Sequence, residues 1–331
     1  MHPLLRIFLL ASLLIWTVPY VGSSQKGTPD NFRPDEVWLD NNNKDTINAH
    51  AGSILYAAGK YYWFGEKRGK RNSEGVNVYS SKDLYHWKYE GLALSPSDDP
   101  GSDIVSGCLM ERPKVVFNAK TREYVMWFHL ELKGRGYAAA RAAVAVSKTV
   151  KGPYTFIRSF RPNGNMSRDM TLFVDDDGKA YQVYSSNENW DLRIVELTDD
   201  YRSPTDRDTL LFSLQREAPA IFKYDSKYYI VTSGCTGWAP NKASLHVSGN
   251  IWGPYRMLGN PMSGLQAEKT FLGQPAFVFP LNGKRNTWVY VGDKWNPQNL
   301  KDSRYQWLPV DLEKDKIGIA WHDEWNLSYF K

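Results

Sequence analysis

Cysteine is scarce in this chain, with Cys108 and Cys235 alone among 331 residues. Two cysteines cannot build a disulfide framework, so the hydrophobic core has to carry most of the stability. They could form one disulfide in an oxidising compartment or remain two thiols, and the sequence leaves both possibilities open. With 42% hydrophobic and 23% charged residues, the composition also excludes a disordered chain and a coiled coil.

Long apolar runs are missing except at the amino terminus. The basic start with Arg6, the apolar run 7–18 and the small residues that follow are typical of a secretory signal peptide. An uncleaved anchor is the alternative, but this run is shorter than the about 20 residues that span a bilayer. We expect residues 1–24 to be a signal peptide and 25–331 a single domain without membrane contact. The mature protein should then be secreted, periplasmic or extracellular.

Basic residues cluster only at 67–71, although the net charge is +5. No stripe of basic and aromatic residues accompanies this cluster, so we expect an exposed loop and no nucleic-acid partner. Aromatic residues, by contrast, are abundant, with 13 Trp and 20 Tyr. Such residues line clefts for flat ligands such as sugars or fill β-rich cores, and both uses remain open at this stage.

A pattern of apolar residues, a turn and a Tyr- or Trp-rich segment recurs five times. Its copies begin at Ile54, Val115, Leu172, Ile221 and Val278. Each copy is typical of a β-hairpin, and a second hairpin follows in several of them, at 76–91, 142–160 and 244–258. Five sheets of four antiparallel strands, about 55 residues each, predict an all-β fold, a five-bladed β-propeller. A β-sandwich is the alternative, but it does not explain the repeat.

The last blade is expected to end within the carboxyl-terminal residues. Residues 307–330 should complete it and close the ring, together with a lead-in strand near 37–39.

One polar residue stands at the entrance to each apolar strand of the repeat. These residues are His50, Glu111, Asp169, Glu217 and Gln274. Because the innermost strands of a propeller run beside a central channel, we expect the five side chains to converge. Each residue alone could be a turn former or a cap. Together, clustered carboxylates raise one another's pKa and would be costly without a function.

The convergent set favours acid chemistry over metal binding. A histidine and carboxylates are suitable metal ligands, but the closely spaced histidine pairs that indicate zinc are missing, so we predict neither a metal ion nor a cofactor. Paired carboxylates in an aromatic-rich pocket suit glycoside hydrolysis, where one acid protonates the leaving oxygen and a second polar group handles water.

Five longer motifs add a family resemblance. They are MERPKV at Met110–Val115, SRDMT at Ser167–Thr171, REAPAIFK at Arg216–Lys223, TSGCTGWAPN at Thr232–Asn241 and KDSRYQWLP at Lys301–Pro309. In this order, over residues 45–310, the chain resembles glycoside hydrolase family 43 and, within it, the exo-β-1,3-galactanase branch. The resemblance implies a five-bladed propeller and an inverting exo-hydrolase that releases galactose from the β-1,3-galactan of arabinogalactan.

The resemblance also implies roles for the five polar residues. Glu217 would be the general acid, with Glu111 and Asp169 tuning it and raising its pKa. Most of the family has an Asp base on the first blade, where this chain has His50. In the galactanase branch, which shares this loss, a glutamine on blade five stands in for the base. Gln274 would therefore hold the attacking water, about 6.5–9.5 Å from the acid as inversion requires.

Further sugar contacts follow from the same resemblance. They are His50, Glu66, Arg112, Tyr137, Asn187, Glu188, Thr236, Gly237 and Trp238. Trp238 would be the flat platform for the pyranose ring. His129 could equally be a core histidine. The chain departs from the branch at 275–276, where Pro and Ala replace the usual Ser and Thr beside the glutamine.

Two alternatives to a galactanase remain. An α-L-arabinofuranosidase or β-xylosidase of the same family would need the missing blade-one Asp. A sugar-binding propeller without catalysis would not need Glu111, Asp169 and Glu217. We expect a monomer whose partner is an oligosaccharide or polysaccharide.

Overall fold

A computed structural model describes residues 31–70, 72–313 and 316–330. The signal peptide predicted for residues 1–24 lies outside these described residues. The described part consists mainly of β-strands, with short 3₁₀ helices at Pro162–Gly164, Ala267–Leu272, Leu300–Asp302 and Leu327–Tyr329. Within these residues no helix is long and apolar enough to cross a membrane.

Four sheets contain four antiparallel strands each, with spatial order equal to chain order. Sheet 1 has β1 (His50–Ala57), β2 (Lys60–Arg68), β3 (Ser73–Ser81) and β4 (Lys88–Leu94). Sheet 2 has β5 (Leu109–Asn118), β6 (Glu123–Glu131), β7 (Arg141–Ser147) and β8 (Thr155–Phe160). Sheet 3 has β9 (Met170–Val174), β10 (Ala180–Ser186), β11 (Asp191–Leu197) and β12 (Pro204–Ser213). Sheet 4 has β13 (Arg216–Tyr224), β14 (Lys227–Gly234), β15 (Ser244–Ser248) and β16 (Arg256–Gly259).

Two smaller sheets complete the fold. A small sheet combines β17 (Met262–Ser263) with β21 (Asp311–Glu313) and β22 (Lys316–Ala320). Sheet 5 consists of β18 (Gln274–Pro280), β19 (Trp288–Lys294) and β20 (Arg304–Pro309). All five predicted hairpins are present as the first two strands of sheets 1 to 5.

The innermost strands of sheets 1 to 5 surround a common axis. The strands β1, β5, β9, β13 and β18 contact one another in a closed circle, each touching the next and β18 touching β1. Apolar side chains fill the junctions between neighbouring sheets, in five clusters. The junction of sheets 5 and 1 is the most aromatic, with Trp63, Trp87 and Trp307 fully buried. The predicted all-β propeller is therefore confirmed.

The predicted number of blades is wrong, because the described residues form six sheets and not five. The extra sheet comes from the carboxyl-terminal hairpin, which pairs in parallel with Met262–Ser263. Ile317 and Ile319 on this hairpin pack with Met262 into the cluster between sheets 4 and 5. Burial of this apolar face beside the junction explains why the tail forms its own sheet instead of widening sheet 5.

The ends of the described chain meet at a different place from the one predicted. Of the segment 307–330 that was expected to complete the last blade, only residues 307–309 belong to sheet 5, as the end of β20. The lead-in pairs through Phe32, which exchanges backbone hydrogen bonds of 2.7 and 3.1 Å with Trp325. The predicted closing segment 37–39 instead bridges locally, from Leu39 to Thr46.

The two cysteines do not form a disulfide. Cys108 is buried in the cluster between sheets 1 and 2. Cys235 is partly buried, and its thiol donates to the carbonyl of Gln215 at 3.4 Å. Of the two possibilities that the sequence left open, the structure has two free thiols.

Candidate active site

β-Bulges follow the polar residues of several inner strands. In β1, β5 and β13 the strand register shifts directly after the polar residue. The next residue has a positive φ in each strand, 46° at Ala51, 51° at Arg112 and 54° at Ala218. At the first bulge only glycine fits at position 52, where a Cβ would lie 1.7 Å from the carbonyl oxygen of Phe64. Such bulges interrupt the regular alternation and re-aim the polar side chain.

The backbone N–H of each bulge donates to a carboxylate of the neighbouring sheet. The pairs are Ala51 with Asp293 at 3.0 Å, Arg112 with Glu66 at 2.7 Å and Ala218 with Asp169 at 3.1 Å. A buried N–H without an acceptor would cost about 1–3 kcal/mol, so these carboxylates stabilise the bulges and connect adjacent sheets. Glu66, predicted as a sugar contact, is only 1% exposed and has this structural contact.

Lys114 makes a similar connection with its side chain. Its ammonium group, 1% exposed, donates to the carbonyl oxygen of Ala51 at 2.8 Å. Burial and the nearby charge of Arg112 lower the pKa of Lys114 to about 7. Lys114 thus ties sheet 2 to the bulge of sheet 1, a contact that no sequence motif indicated.

A second set of polar residues lies opposite the first across the hairpins of sheets 1, 2, 4 and 5. His50 pairs with Glu66, Glu111 with His129, Glu217 with Ser233 and Gln274 with Asp293. Of these partners, the sequence motifs indicated only Glu66, and His129 could equally be a core histidine. Counting across each predicted hairpin turn would have identified the others, because antiparallel pairing fixes the register.

Glu111 lies in a cluster of cations and hydrogen-bond donors. Its carboxylate accepts from Arg68 at 2.8 Å and from the Tyr137 hydroxyl at 3.0 Å, and lies 3.2 Å from Nδ1 of His129. Burial acts to raise the pKa of Glu111, but His129 and Arg68 outweigh it and hold the pKa far below its usual range. Glu111 is therefore ionised, and the positive charges of Arg68 and His129 compensate its negative charge.

Arg68 and His129 are the cations of this cluster. The expectation of an exposed basic loop at 67–71 is wrong for Arg68, which is 4% exposed and also pairs with Glu66 at 2.5 Å. His129 is desolvated, which lowers its pKa, but the nearby carboxylates of Glu111, 3.2 Å from Nδ1, and Glu131, 2.9 Å from Nε2, raise the pKa to about 9. His129 is therefore an imidazolium between two carboxylates. The interpretation of His129 as a core histidine explains its burial but not these two contacts.

Arg112 joins two other predicted site residues, Asp169 and Gln274. Its guanidinium pairs with Asp169 at 2.8 Å, donates to Oε1 of Gln274 at 2.6 Å and donates to the carbonyl of Pro275 at 3.0 Å. The replacement of Ser by Pro at position 275 leaves this carbonyl contact available, because proline lacks only the backbone N–H. Arg112 is 4% exposed, so it acts as a buried clamp between sheets 2, 3 and 5.

Glu217 has the altered acidity expected of a general acid. Burial and the charge of Asp169 raise the pKa of Glu217 to about 7, although Arg112 acts in the opposite direction. Its two carboxylate oxygens accept from Gln274 Nε2 at 2.9 Å and from Asn189 Nδ2 at 3.1 Å. Asn189 was not predicted, whereas its predicted neighbours bind elsewhere, Asn187 to Asp191 and Glu188 to Arg168.

The predicted gap between acid and water holder is wrong for this structure. Instead of about 6.5–9.5 Å, Nε2 of Gln274 lies 2.9 Å from Oε1 of Glu217. A sugar ring placed between the two side chains would have to separate them. Hydrogen bonds of a catalytic site often rearrange when substrate binds, so the contact does not exclude Glu217 as the acid.

A cleft opens beside Gln274, lined by the loop 237–241, residues 272–273 and Trp295. Trp238 is 47% exposed, and its ring lies 5.5 Å from that of Trp295 at an interplanar angle of 70°. The indole N–H of Trp295 donates to Oε1 of Gln274 at 3.0 Å. Trp295 was missed because it follows the second strand of sheet 5, in a segment that none of the five motifs covers.

Two other predicted contacts lie at the edge of this arrangement. His50 is fully buried, 3.1 Å from Asp293 and stacked on Tyr305 at 5.0 Å. Thr236 is exposed, and its hydroxyl donates to the carbonyl of Ala239. The structure therefore brings Arg112, Asp169, Glu217 and Gln274 into one connected network. Glu111 joins this network through Arg68 and Glu66, which accepts from the backbone N–H of Arg112. His50 and Thr236 contact its surroundings.

Two carboxylates of the site and His129 beside them could offer ligand atoms to a metal ion. Among the described residues, ligand atoms of Glu111, His129 and Asp169 lie within 4.8 Å of one another. Arg68 and Arg112 already bind the two carboxylates, so a metal ion would compete with both arginines. The expectation of neither metal nor cofactor stays a prediction.

Comparisons with known proteins agree on a family. A model of glycosyl hydrolases family 43 matches residues 46–301. A solved family 43 β-1,3-galactosidase with galactodeoxynojirimycin is 46% identical, with a TM-score of 0.87 over 89% of this chain and 100% of that one. An exo-β-1,3-galactanase of Phanerochaete chrysosporium, solved as a variant with β-1,3-galactotriose, is 35% identical, with a TM-score of 0.83 over 90% of this chain and 68% of that one.

A more distant relative is named for activity on xylan and not on galactan. A xylan 1,3-β-xylosidase of a Vibrio species is 24% identical over 311 residues, or 86% of this chain. The chain spans only 55% of the length of that curated relative. The match of the family model over most of the chain decides the assignment: this chain belongs to glycosyl hydrolases family 43.

Proposed function

We propose that this protein is an inverting exo-glycoside hydrolase that releases galactose from the β-1,3-galactan of arabinogalactan. The observation that carries the proposal is the Glu217 carboxyl, whose pKa is raised to about 7, in hydrogen-bond contact with Gln274. The names of the similar structures, a β-1,3-galactosidase and an exo-β-1,3-galactanase, support the choice of sugar and linkage.

Glu217 would donate its proton to the glycosidic oxygen as the bond to the anomeric carbon breaks. A pKa near 7 keeps a large part of this carboxyl protonated at neutral pH, which a general acid requires. Asp169 contributes to the raised pKa by its charge, and its pairing with Arg112 keeps it in place. Glu111, compensated by Arg68 and His129, is suited to accept hydrogen bonds from sugar hydroxyls.

Water would attack the anomeric carbon from the face opposite the leaving group. Gln274 is the group proposed to hold this water, because no carboxylate stands at the equivalent first-blade position, occupied by His50. Trp238, with half of its surface exposed beside Gln274, offers a flat apolar face to a pyranose ring. Binding there would place the terminal sugar between platform and acid.

Hydrolysis of β-1,3-galactan, followed by ¹H NMR, tests this proposal. Release of galactose first as the α-anomer supports an inverting exo-galactosidase. Release of the β-anomer would contradict inversion, and release of mixed oligosaccharides would contradict exo action. Parallel incubations with aryl β-xyloside and aryl α-L-arabinofuranoside test the alternatives, of which the xylosidase is favoured by the Vibrio relative. Binding of galactan without turnover would favour a sugar-binding propeller.

The proposed substrate is consistent with the signal peptide predicted for residues 1–24. A polysaccharide is encountered outside the cytoplasm, so we include secretion in the proposal. Amino-terminal sequencing of the mature protein tests the predicted cleavage after residue 24, and light scattering of the purified protein tests the predicted monomer.

A further inference from the structure

The indole of Trp295 contacts Gln274 from the side of the cleft. Its Nε1 lies 3.0 Å from Oε1 of Gln274, and Arg112 Nη2 approaches the same oxygen at 2.6 Å. At the other end of the amide, Nε2 donates to Glu217 at 2.9 Å and to Ser233 at 3.1 Å. All four hydrogen-bonding positions of the amide are therefore occupied.

These partners fix which end of the amide is oxygen. An indole N–H and a guanidinium can only donate, so the atom facing Trp295 and Arg112 has to be the carbonyl oxygen. A flipped amide would turn its NH₂ group toward two donors and lose both bonds. The orientation of Gln274 thus depends on two side chains from outside its own strand.

The indole itself is held on three sides. The Trp238 ring packs edge-on at 5.5 Å, the Arg68 guanidinium lies 5.9 Å from the indole ring, and the His50 ring lies at 5.7 Å. Arg68 is in turn fixed by Glu66 and Glu111. An exposed platform and a buried charge cluster therefore meet at Trp295.

We propose that Trp295 is a positioning residue for Gln274, which it holds as an amide with the carbonyl oxygen turned away from Glu217. This inference rests on the proposed function, because it assigns Trp295 a part in presenting the attacking water. It also bears on how Gln274 works. An imidic tautomer would place a hydrogen on the oxygen that already accepts from Trp295 and Arg112, so it would have to break one of these bonds. Gln274 then acts by holding water through its NH₂ group and not by removing its proton through tautomerisation; the proton that the water loses as its bond to the anomeric carbon forms passes to solvent.

The Trp295→Phe variant tests the role of the N–H. We expect kcat to fall about tenfold, the effect of one lost hydrogen bond, while KM changes less than about twofold. Trp321→Phe is the matched control, because its indole N–H also binds an acceptor, Asp323 at 2.7 Å, among the residues after the small sheet. This control should keep the wild-type kcat. An unchanged kcat in Trp295→Phe would overturn the proposal.

A double-mutant cycle separates positioning from a general loss of structure. If Trp295 acts through Gln274, Trp295→Phe should lower the rate on an aryl β-galactoside much less in the Gln274→Ala background than in wild type. An equal loss in both backgrounds would overturn the positioning role. The indole N–H resonance of Trp295 in ¹⁵N NMR gives a readout without turnover, and it should move upfield in Gln274→Ala while that of Trp321 stays in place.

The two proposals fail in different ways. If wild type releases no galactose but the Trp295 resonance responds to Gln274→Ala, the function is wrong and the contact stands. If wild type is active and the resonance does not respond, the Trp295 inference is wrong and the function stands.

Discussion

Replacing Asp169 by Asn should lower the pKa of the proposed acid. In the wild type, burial and the charge of Asp169 raise the pKa of Glu217 to about 7, and Arg112 opposes them. Asp169 also pairs with Arg112 at 2.8 Å. The substitution removes a negative charge and leaves the positive charge of Arg112 less compensated. Both changes stabilise ionised Glu217, so they act in the same direction.

The size of the shift follows from the charge that is removed. At an effective dielectric constant of about 20, two unit charges within about 10 Å of each other interact by about 1.5 kcal/mol or more, which is at least about one pKa unit. The Asp169 side chain is 18% exposed, so solvent weakens this interaction. We expect the pKa of Glu217 to fall by about one unit.

The pH dependence of kcat/KM on a soluble β-1,3-galacto-oligosaccharide reports this pKa in the free enzyme. A general acid works only when protonated, so kcat/KM should fall above the pKa, about tenfold per pH unit. In wild type this alkaline limb should pass through about pH 7, in line with the pKa of Glu217. In Asp169→Asn it should pass about one unit lower.

Asp175→Asn is the matched control, because Asp175 follows the same strand β9 at its opposite end and pairs with Lys223 at 2.6 Å. Its alkaline limb should coincide with that of wild type. An alkaline limb of Asp169→Asn that stays in place or moves upward would refute the assignment of Glu217 as the acid tuned by Asp169.

Three further predictions concern other residues. Glu217→Gln, which cannot donate a proton, should lower kcat by at least about a hundredfold with galactan binding retained, and calorimetry with galactose checks binding. Gln274→Ala should lower kcat to a similar extent, and near-full activity would exclude the water-holding role. His246 is fully buried, and burial lowers its pKa to about 4 from 6.5. Between these pH values the unfolded state binds more protons, so stability should fall by up to about 3 kcal/mol as the pH drops. Urea unfolding should show a larger loss between these pH values in wild type than in His246→Leu, which lacks the titrating imidazole.

The repeat explains why so much of the propeller could be predicted. Alternation of apolar and polar residues fixes hairpins locally, and identical hairpins at regular spacing leave few folds that bury every apolar face. Residues 311–320 follow no such repeat, and their partner, Met262–Ser263, is about 50 residues away in the chain. A pairing between such distant short strands has no local signal, so the small sheet was not predicted.

In the candidate site, too, the residues that belong to the repeat could be predicted and the residues outside it could not. The positions of Glu111, Glu217 and Gln274 follow from the repeat, because equivalent positions on inner strands converge on the axis. Their partners come from register and from loops. Arg68 was assigned to an exposed loop because its neighbours are basic, yet it ends β2 with Glu66 and Glu111 as buried partners. Trp295 lies beyond the end of β19, where neither alternation nor the repeat constrains the chain.

The contact between Gln274 and Glu217 links the geometry of the site to its chemistry. Their hydrogen bond stabilises the ionised form of Glu217, as does the one from Asn189, while burial and Asp169 favour the neutral form. A sugar ring that separates the two side chains removes one donor from the carboxyl and displaces solvent around it. Both changes favour the protonated carboxyl. On the proposed function, the substrate would thus bring Glu217 toward the form that a general acid needs, while Gln274, still held by Arg112 and Trp295, would be free to bind water.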